Sequence, residues 1–410
     1  VKKKLKTTMG ILGGLVGIAG GTLLMIYFVT GVGSYDLPPM ARQLGANRAA
    51  AEKAGIWKDG PPAAVGAMPA KDFLQLAESI ERLPVLPKLE GMPTKEAARQ
   101  RTWLASRTRQ ARSTAQTKDV AWVADGPSFP ALAHLKLGAK VLDYDARLAA
   151  RIGEEEEALT SIKAILDLAR LSASPQSFIG IMVAMALEEI ANGVAIDCAG
   201  QWRDRPEMLR RLGGLFDHPT WTPNAGATAR AEELGMRKMI ESDVVKSWES
   251  TRMFNMERED GGGEGHFPVF PVPGQMVRDA ILSRHFEVSS RLITQADKGW
   301  DAWDRACREV EWMEGKRETM TWALSFESTV SLLGVLKLRE ARLLCIHAGI
   351  RRLSDPLAKL PDDPFAPGKP LRVLKRGEGF VIYSVGDNKR DDGGQLEQSV
   401  DVGYGFGVKK

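Results

Sequence analysis

Residues 154–173 read EEEEALTSIKAILDLARLSA. Four acids precede apolar side chains at Leu159, Ile162, Ile165, Leu166 and Leu168. Steps of three and four place these on one face of a helix of about 3.6 residues per turn. The acids fall in its first turn, where the helix dipole favours negative charge. Gly153 precedes the run and Ser174-Pro175 follows it, so the helix is bounded at both ends. The pattern extends outward. Leu132, Leu135, Val141, Leu142 and Leu148 mark a helix ending near Gly153, and Phe178 to about Gly200 marks another. The densest apolar part of the latter, Phe178 to Leu187, is too short to span a bilayer and is followed by Glu188, Glu189 and Asp197. It predicts a buried core helix. Helix–turn–helix units of this length predict a mainly α fold with a repeat-like body.

The N-terminus has a different character. Lys2, Lys3, Lys4 and Lys6 precede an uncharged apolar run from about Met9 to Val32, and no Lys or Arg follows until Arg42. At about 1.5 Å per residue such a run crosses a hydrocarbon core of about 30 Å. The basic side stays cytoplasmic. The run predicts a single-pass anchor in the inner or plasma membrane, with the bulk of the chain periplasmic or extracellular. Gly10/Gly14 and Gly13/Gly17/Gly21 repeat at a spacing that lets two membrane helices approach closely. They predict a transmembrane partner helix or a homo-oligomer.

Seven segments follow from these patterns: a basic tail over 1–7, a transmembrane helix over 8–32, and a Pro/Gly-punctuated helical arm over 33–127. A helical domain over 128–256, a loop over 257–274, a long helical hairpin over 275–359 and a C-terminal β-hairpin over 360–410 complete the chain. The arm contains a helix near 70–83, with Leu76, Ile80 and Leu83 on its apolar side, and another from Thr94 to about Gln116. The second bears Arg99, Arg101, Arg107, Arg109 and Arg112 with Lys95, against the single acid Glu96. It reads either as a docking face for anionic lipid headgroups or an acidic partner, or as a solvated helix face. Two long helices are expected at about 275–314 and 317–353; Trp300 and Trp303 share a face there.

Composition narrows the function. The chain has 410 residues, 44% hydrophobic and 26% charged, with a net charge of +4. That is ordinary globular composition, and the small charge calls for no nucleic acid partner. Cys198, Cys307 and Cys345 lie far apart in helical patterns, which favours buried structural cysteines. No phosphate-binding loop, metalloprotease, nucleophile-elbow or dinucleotide motif occurs. His134, His218, His266, His285 and His347 are scattered. No catalytic residue follows from these spacings, and no cofactor beyond a structural cation.

From Leu360 the pattern turns to strands. Leu371–Leu374 and Phe380–Val385 flank a glycine-bearing loop and predict a hairpin. Asp387, Asn388, Asp391, Asp392 and Asp401 then supply side-chain oxygens around Gly386, Gly393 and Gly394. Calcium takes about six to eight oxygens, so these residues could cage a structural calcium ion. The alternative is a solvated acidic turn neutralised by Lys389 and Arg390.

Asp363-Pro364-Phe365, Gly368-Lys369-Pro370, Tyr383-Ser384-Val385-Gly386 and Gly393-Gly394 resemble the C-terminal hairpin of the major pseudopilins of type II secretion. The similarity covers about residues 360–402. In that family the loop after the last strand holds calcium, which implies Asp387, Asp392 and Asp401 as ligands here. The whole chain also resembles single-pass membrane proteins of planctomycete-type bacteria, a likeness that implies no particular activity. Three readings stay open. The first is a non-catalytic membrane-anchored scaffold or docking subunit of an envelope assembly. The second is a component related to secretion or pilus machinery. The third is a periplasmic hydrolase or ligand-binding protein with a pocket among the Trp-bearing helices.

Overall fold

The computed structural model describes residues 37–58, 60–62, 65–80, 86–122, 129–239, 241, 274–314, 320–396 and 401–408. The expected membrane helix with its glycine face and the loop at 257–273 lie outside them. The described chain is mostly helical, as expected. It divides into two compact units, one drawing on Val1–Asp59 and Asn224–Ser331, the other on Gly60–Pro223 and Leu332–Lys410. The division cuts across the expected arm, whose first helix and later helices fall in different units.

In the second unit α2 (Ala70–Glu78), α3 (Thr94–Ala115), α4 (Phe129–Ile152), α5 (Glu155–Ala173), α6 (Phe178–Gln201) and α7 (Pro206–Gly214) follow one another. From α3 to α6 each helix packs on its chain neighbour, and α4 also reaches α6. Sequence explains the corners. Gly153 adopts φ +84°, its N–H donates to Ala150 O, and Glu154 N–H donates to Ala149 O. These paired bonds satisfy the last carbonyls of α4 and let α5 begin at once. Ser177 caps α6, its Oγ accepting from Gly180 N–H at 3.2 Å. Leu104, Val141, Tyr144 and Leu148 form one core between α3 and α4. Such side chains contribute about 1.5–3 kcal/mol each when fully buried. Two-residue strands β1 (Met68–Pro69) and β2 (Val120–Ala121) pair in parallel, beside Phe73 and Trp122, whose rings meet edge to face at 5.5 Å.

Helix α6 is the one described helix long and apolar enough to cross a membrane. Half of that stretch is buried against the rest of the protein, and Glu188 is buried within it. It serves as a core helix, as its charges predicted.

The other unit contains α1 (Leu37–Lys53), α8 (Ala225–Met239), α9 (Gly274–Ala296) and α10 (Trp300–Glu314). Helix α9 packs along α1, α8 and α10. Arg230 donates to the carbonyls of Ala54 and Gly55 at the end of α1, and pairs with Asp297 at 2.7 Å. The expected helix over 275–314 is broken: Asp297–Gly299 separate α9 from α10. Trp300 and Trp303 do share a face, with ring centroids 5.4 Å apart.

The last long helix, α11 (Met320–Ser354), leads to the C-terminal sheet. Strands β3 (Asp362–Asp363) and β4 (Ala366–Pro370) pair antiparallel. Strands β5 (Arg372–Arg376), β6 (Gly379–Ser384) and β7 (Val402–Phe406) form an antiparallel sheet in that order. The expected hairpin is thus one strand short. Residue Ile382 sits opposite Val373 on one side and Tyr404 on the other. Residues Leu371 and Ile382 bury against Cys345 and Ala348 of α11. The Phe406 ring lies on Gly349, where a Cβ would come within 1.9 Å of it. Only glycine permits that approach of sheet to helix.

Candidate functional site

Two charged regions singled out by the sequence fall in the second unit: the basic helix α3 and the C-terminal acidic loop. Their geometry differs from a simple reading of their composition.

On α3 the five arginines separate by helical phase. Arg101 and Arg112, eleven residues apart, return to the same side after three turns. Both turn onto buried Asp145, at 3.1 Å from Arg101 Nε and 3.0 Å from Arg112 Nη2. Glu157 accepts from Arg101 at 2.9 Å and Arg112 at 2.7 Å, and Glu154 pairs with Arg101. The Ser161 hydroxyl donates to Asp145 at 2.7 Å. Arg101 and Arg112 therefore tie α3 to α4 and α5, which corrects their expected place on a docking face. Arg99 and Arg109 remain toward solvent, and Arg107 is half-buried. Arg99 makes a surface pair with Glu96, Arg109 is exposed, and the Arg107 guanidinium lies 5.1 Å from the Trp103 ring centroid.

The hydrogen bonds from Arg112, then its charge and that of Arg101, outweigh burial and hold Glu157 below its ordinary value of 4.5. The unfolded chain therefore takes up a proton before the folded one does. The stability that Glu157 lends is complete above about pH 4.5 and is lost as pH falls through the lowered folded value. Glu157→Gln is expected to flatten the acid side of a stability–pH curve, measured by urea melts between about pH 3 and 6. An unchanged slope would show that the pair is not formed.

In the C-terminal loop the acidic residues are held by the protein's own donors. Asp401 is buried and accepts from Gly394 N–H at 2.7 Å and Gln395 N–H at 3.3 Å on one oxygen. Its other oxygen accepts from Asp392 N–H at 3.5 Å. Asp391 accepts from the Tyr383 hydroxyl at 2.9 Å and pairs with Arg372 at 2.8 Å. Burial raises Asp391, but Tyr383, Gly393 N–H and Arg372 together hold it below its ordinary value. The Tyr383 hydroxyl, partly desolvated and facing that carboxylate, is pushed up to about 12. Asn388 donates to Asp392 at 2.8 Å, and Asp387 is exposed. Among the described residues no group of three His, Cys, Asp or Glu converges as metal ligands would. As placed, the carboxylates of Asp391 and Asp401 face N–H, O–H and guanidinium donors of the protein itself.

Sequence reasoning missed the groups that organise this region. Asp363 is fully buried. One carboxylate oxygen accepts from Phe365 N–H at 2.9 Å and Ser384 Oγ at 2.6 Å. The other accepts from Arg372 at 3.1 Å and Val385 N–H at 3.1 Å. The Asp-Pro-Phe and Tyr-Ser-Val-Gly motifs are thus two sides of one junction. A second centre joins α6 to α11. Glu188 takes two bonds from Arg339, at 2.6 and 2.8 Å, while Arg339 stacks 3.8 Å from the Trp221 ring centroid. Burial pushes the Glu188 carboxyl up, and Arg339 only partly opposes it. Its neighbour Glu189 faces outward and accepts from Tyr404 at 2.6 Å, and Tyr404 accepts from Asn192 at 2.9 Å. In the pairs Glu188/Glu189 and Asp362/Asp363, one carboxylate is buried and the other exposed, as adjacent residues on diverging directions require.

In the first unit buried His285 meets Glu233 at 3.2 Å and Ser289 at 3.5 Å through the same ring nitrogen. The three cysteines are buried, as expected; they are unbridged, and burial pushes the Cys198 thiol up to about 12. An open groove of about 370 Å³ between α1 and α9 includes Lys53, Arg291 and Thr294, but neither Trp300 nor Trp303. Comparison of the chain with known protein families, curated proteins and solved structures gives no match in any of the three.

Proposed function

We propose that this chain is a single-pass, membrane-anchored protein whose helical body acts as a non-catalytic scaffold or docking subunit of an envelope assembly. The observation that carries the reading is the uncharged run from about Met9 to Val32 behind Lys2, Lys3, Lys4 and Lys6. It favours a cytoplasmic N-terminus and an extracytoplasmic body. Gly10, Gly13, Gly14, Gly17 and Gly21 offer a close-packing face to a partner helix or a second copy. The body's buried ionic groups suit a scaffold: Asp145, Glu188 and Asp363 are each matched by an arginine of another element. Such pairing fixes the arrangement of helices and sheet rather than presenting charge to a substrate.

The test is gentle solubilisation of native membranes, followed by mass spectrometry of whatever remains bound at fixed stoichiometry. The expected result is a constant-ratio membrane partner, or a defined homo-oligomer, that dissociates in the double variant Gly13→Leu/Gly17→Leu. Recovery as an isolated chain would overturn the assembly role.

A further inference from the structure

We infer that the solvent face of α3 docks flat on an anionic phospholipid surface through Lys95, Arg99, Trp103 and Arg109. The inference rests on the membrane-anchored reading and names a surface that the body would touch. At about 100° per residue, Lys95, Arg99, Thr102, Trp103, Ser106, Arg109 and Ser113 share one side of the helix, and all are exposed. Apart from Trp103, the stripe's side chains between the cations, Thr102 and Ser106, are short. The stripe from Lys95 to Arg109 is therefore flat, about 21 Å long at about 1.5 Å per residue, and basic apart from Glu96.

Trp103 is the observation that selects lipid. It is one of few large apolar side chains left exposed, at 44%, in the middle of a basic stripe. Indole combines an apolar body with a polar N–H and sits stably at headgroup depth. The half-buried Arg107 guanidinium lies 5.1 Å from its ring centroid and supports the indole from beneath. The inward pairing of Arg101 and Arg112 with Asp145 and Glu157 fixes the rotation of α3, so this face cannot turn into the core. Carboxylates at fixed positions on a protein would need a matching pocket for the indole. A headgroup layer supplies phosphates along the whole stripe and a yielding interface for the ring.

The experiment uses the full chain reconstituted in nanodiscs of phosphatidylcholine alone or mixed equally with phosphatidylglycerol. A fluorophore on Ser106→Cys reports contact with the headgroup layer; the three native cysteines are buried. The expected result is a docked signal in the anionic discs, weak in neutral discs and reversed by high salt. Each neutralised basic residue should lower the docked-to-free ratio about fivefold, and Lys95→Gln/Arg99→Gln/Arg109→Gln about 100-fold. Trp103→Ala should lower it in anionic discs without changing the salt dependence. Equal signals in the two lipids, or indifference to the triple variant, would overturn the inference. So would loss of an acidic protein partner in the triple variant with no dependence on lipid charge. Failure of the chain to insert would instead count against the anchor. The same labelled chain mixed with phosphatidylglycerol vesicles would then decide docking separately.

Discussion

Asp363→Ala is expected to release the C-terminal sheet from its junction. The substitution removes an acceptor from four donors: the N–H groups of Phe365 and Val385, the Ser384 hydroxyl and the Arg372 guanidinium. Each buried donor left without a partner costs about 1–3 kcal/mol. The loss is on the order of 4 kcal/mol or more, a large share of the roughly 5–15 kcal/mol that holds a domain folded. Hydrogen exchange should show β5 and β6 losing protection while α4 and α5 keep theirs. Asp363→Asn should fall between, since its amide carries one acceptor oxygen and turns two donors toward donors. Wild-type protection throughout β6 in the alanine variant would contradict the hub role.

Glu188→Ala carries the second large effect. It leaves the Arg339 guanidinium buried beside Trp221 with its anion gone. Breaking a buried pair from one side costs about 3–5 kcal/mol. Replacing both partners by apolar residues is often neutral or stabilising, because two desolvation penalties vanish together. Glu188→Leu/Arg339→Met should therefore recover most of the stability lost in the single variant. The upward push on the Glu188 carboxyl points the same way: desolvation outweighs the attraction of Arg339. Denaturant melts of the two single variants and the double decide it. Additive losses in the double variant would mean that the pair does not act as a unit.

Local sequence accounts for most of the helices. Gly153 and the acids at 154–157 mark the α4–α5 corner because backbone conformation and helix dipole act over a single turn. The break at Asp297–Gly299 was harder to see, because one glycine does not by itself end a helix and the apolar spacing continues on either side. Strand β7 reads Val-Gly-Tyr-Gly-Phe. Its glycines weaken the strand pattern, yet at Gly403 a Cβ would strike the Ile382 carbonyl, so the weak pattern is what lets β7 pair so closely. No local signal marks the pairing of α1 with α9, more than two hundred residues on.

The sites were legible only where helical phase was used. The basic run of α3 looked like one charged face. The eleven-residue interval between Arg101 and Arg112 places them with Ala97, Leu104, Thr108 and Ala111 on the buried side. Their acceptors, Asp145 and Glu157, lie on other helices and had no mark of their own. Similarly, Asp363 precedes a proline in what read as a turn, and its burial depends on the return of Ser384 and Val385 more than twenty residues later. The directions of the loop carboxylates were not legible, because composition gives an oxygen count but not direction.

The most direct test of the central claim is the disposition of the body across the membrane. Thr160→Cys, exposed on α5 away from the docking face, should react with a membrane-impermeant maleimide in intact spheroplasts, and the chain should stay in the pellet after alkaline carbonate extraction. Labelling only after lysis, or release of the chain by carbonate, would contradict a membrane-anchored extracytoplasmic scaffold.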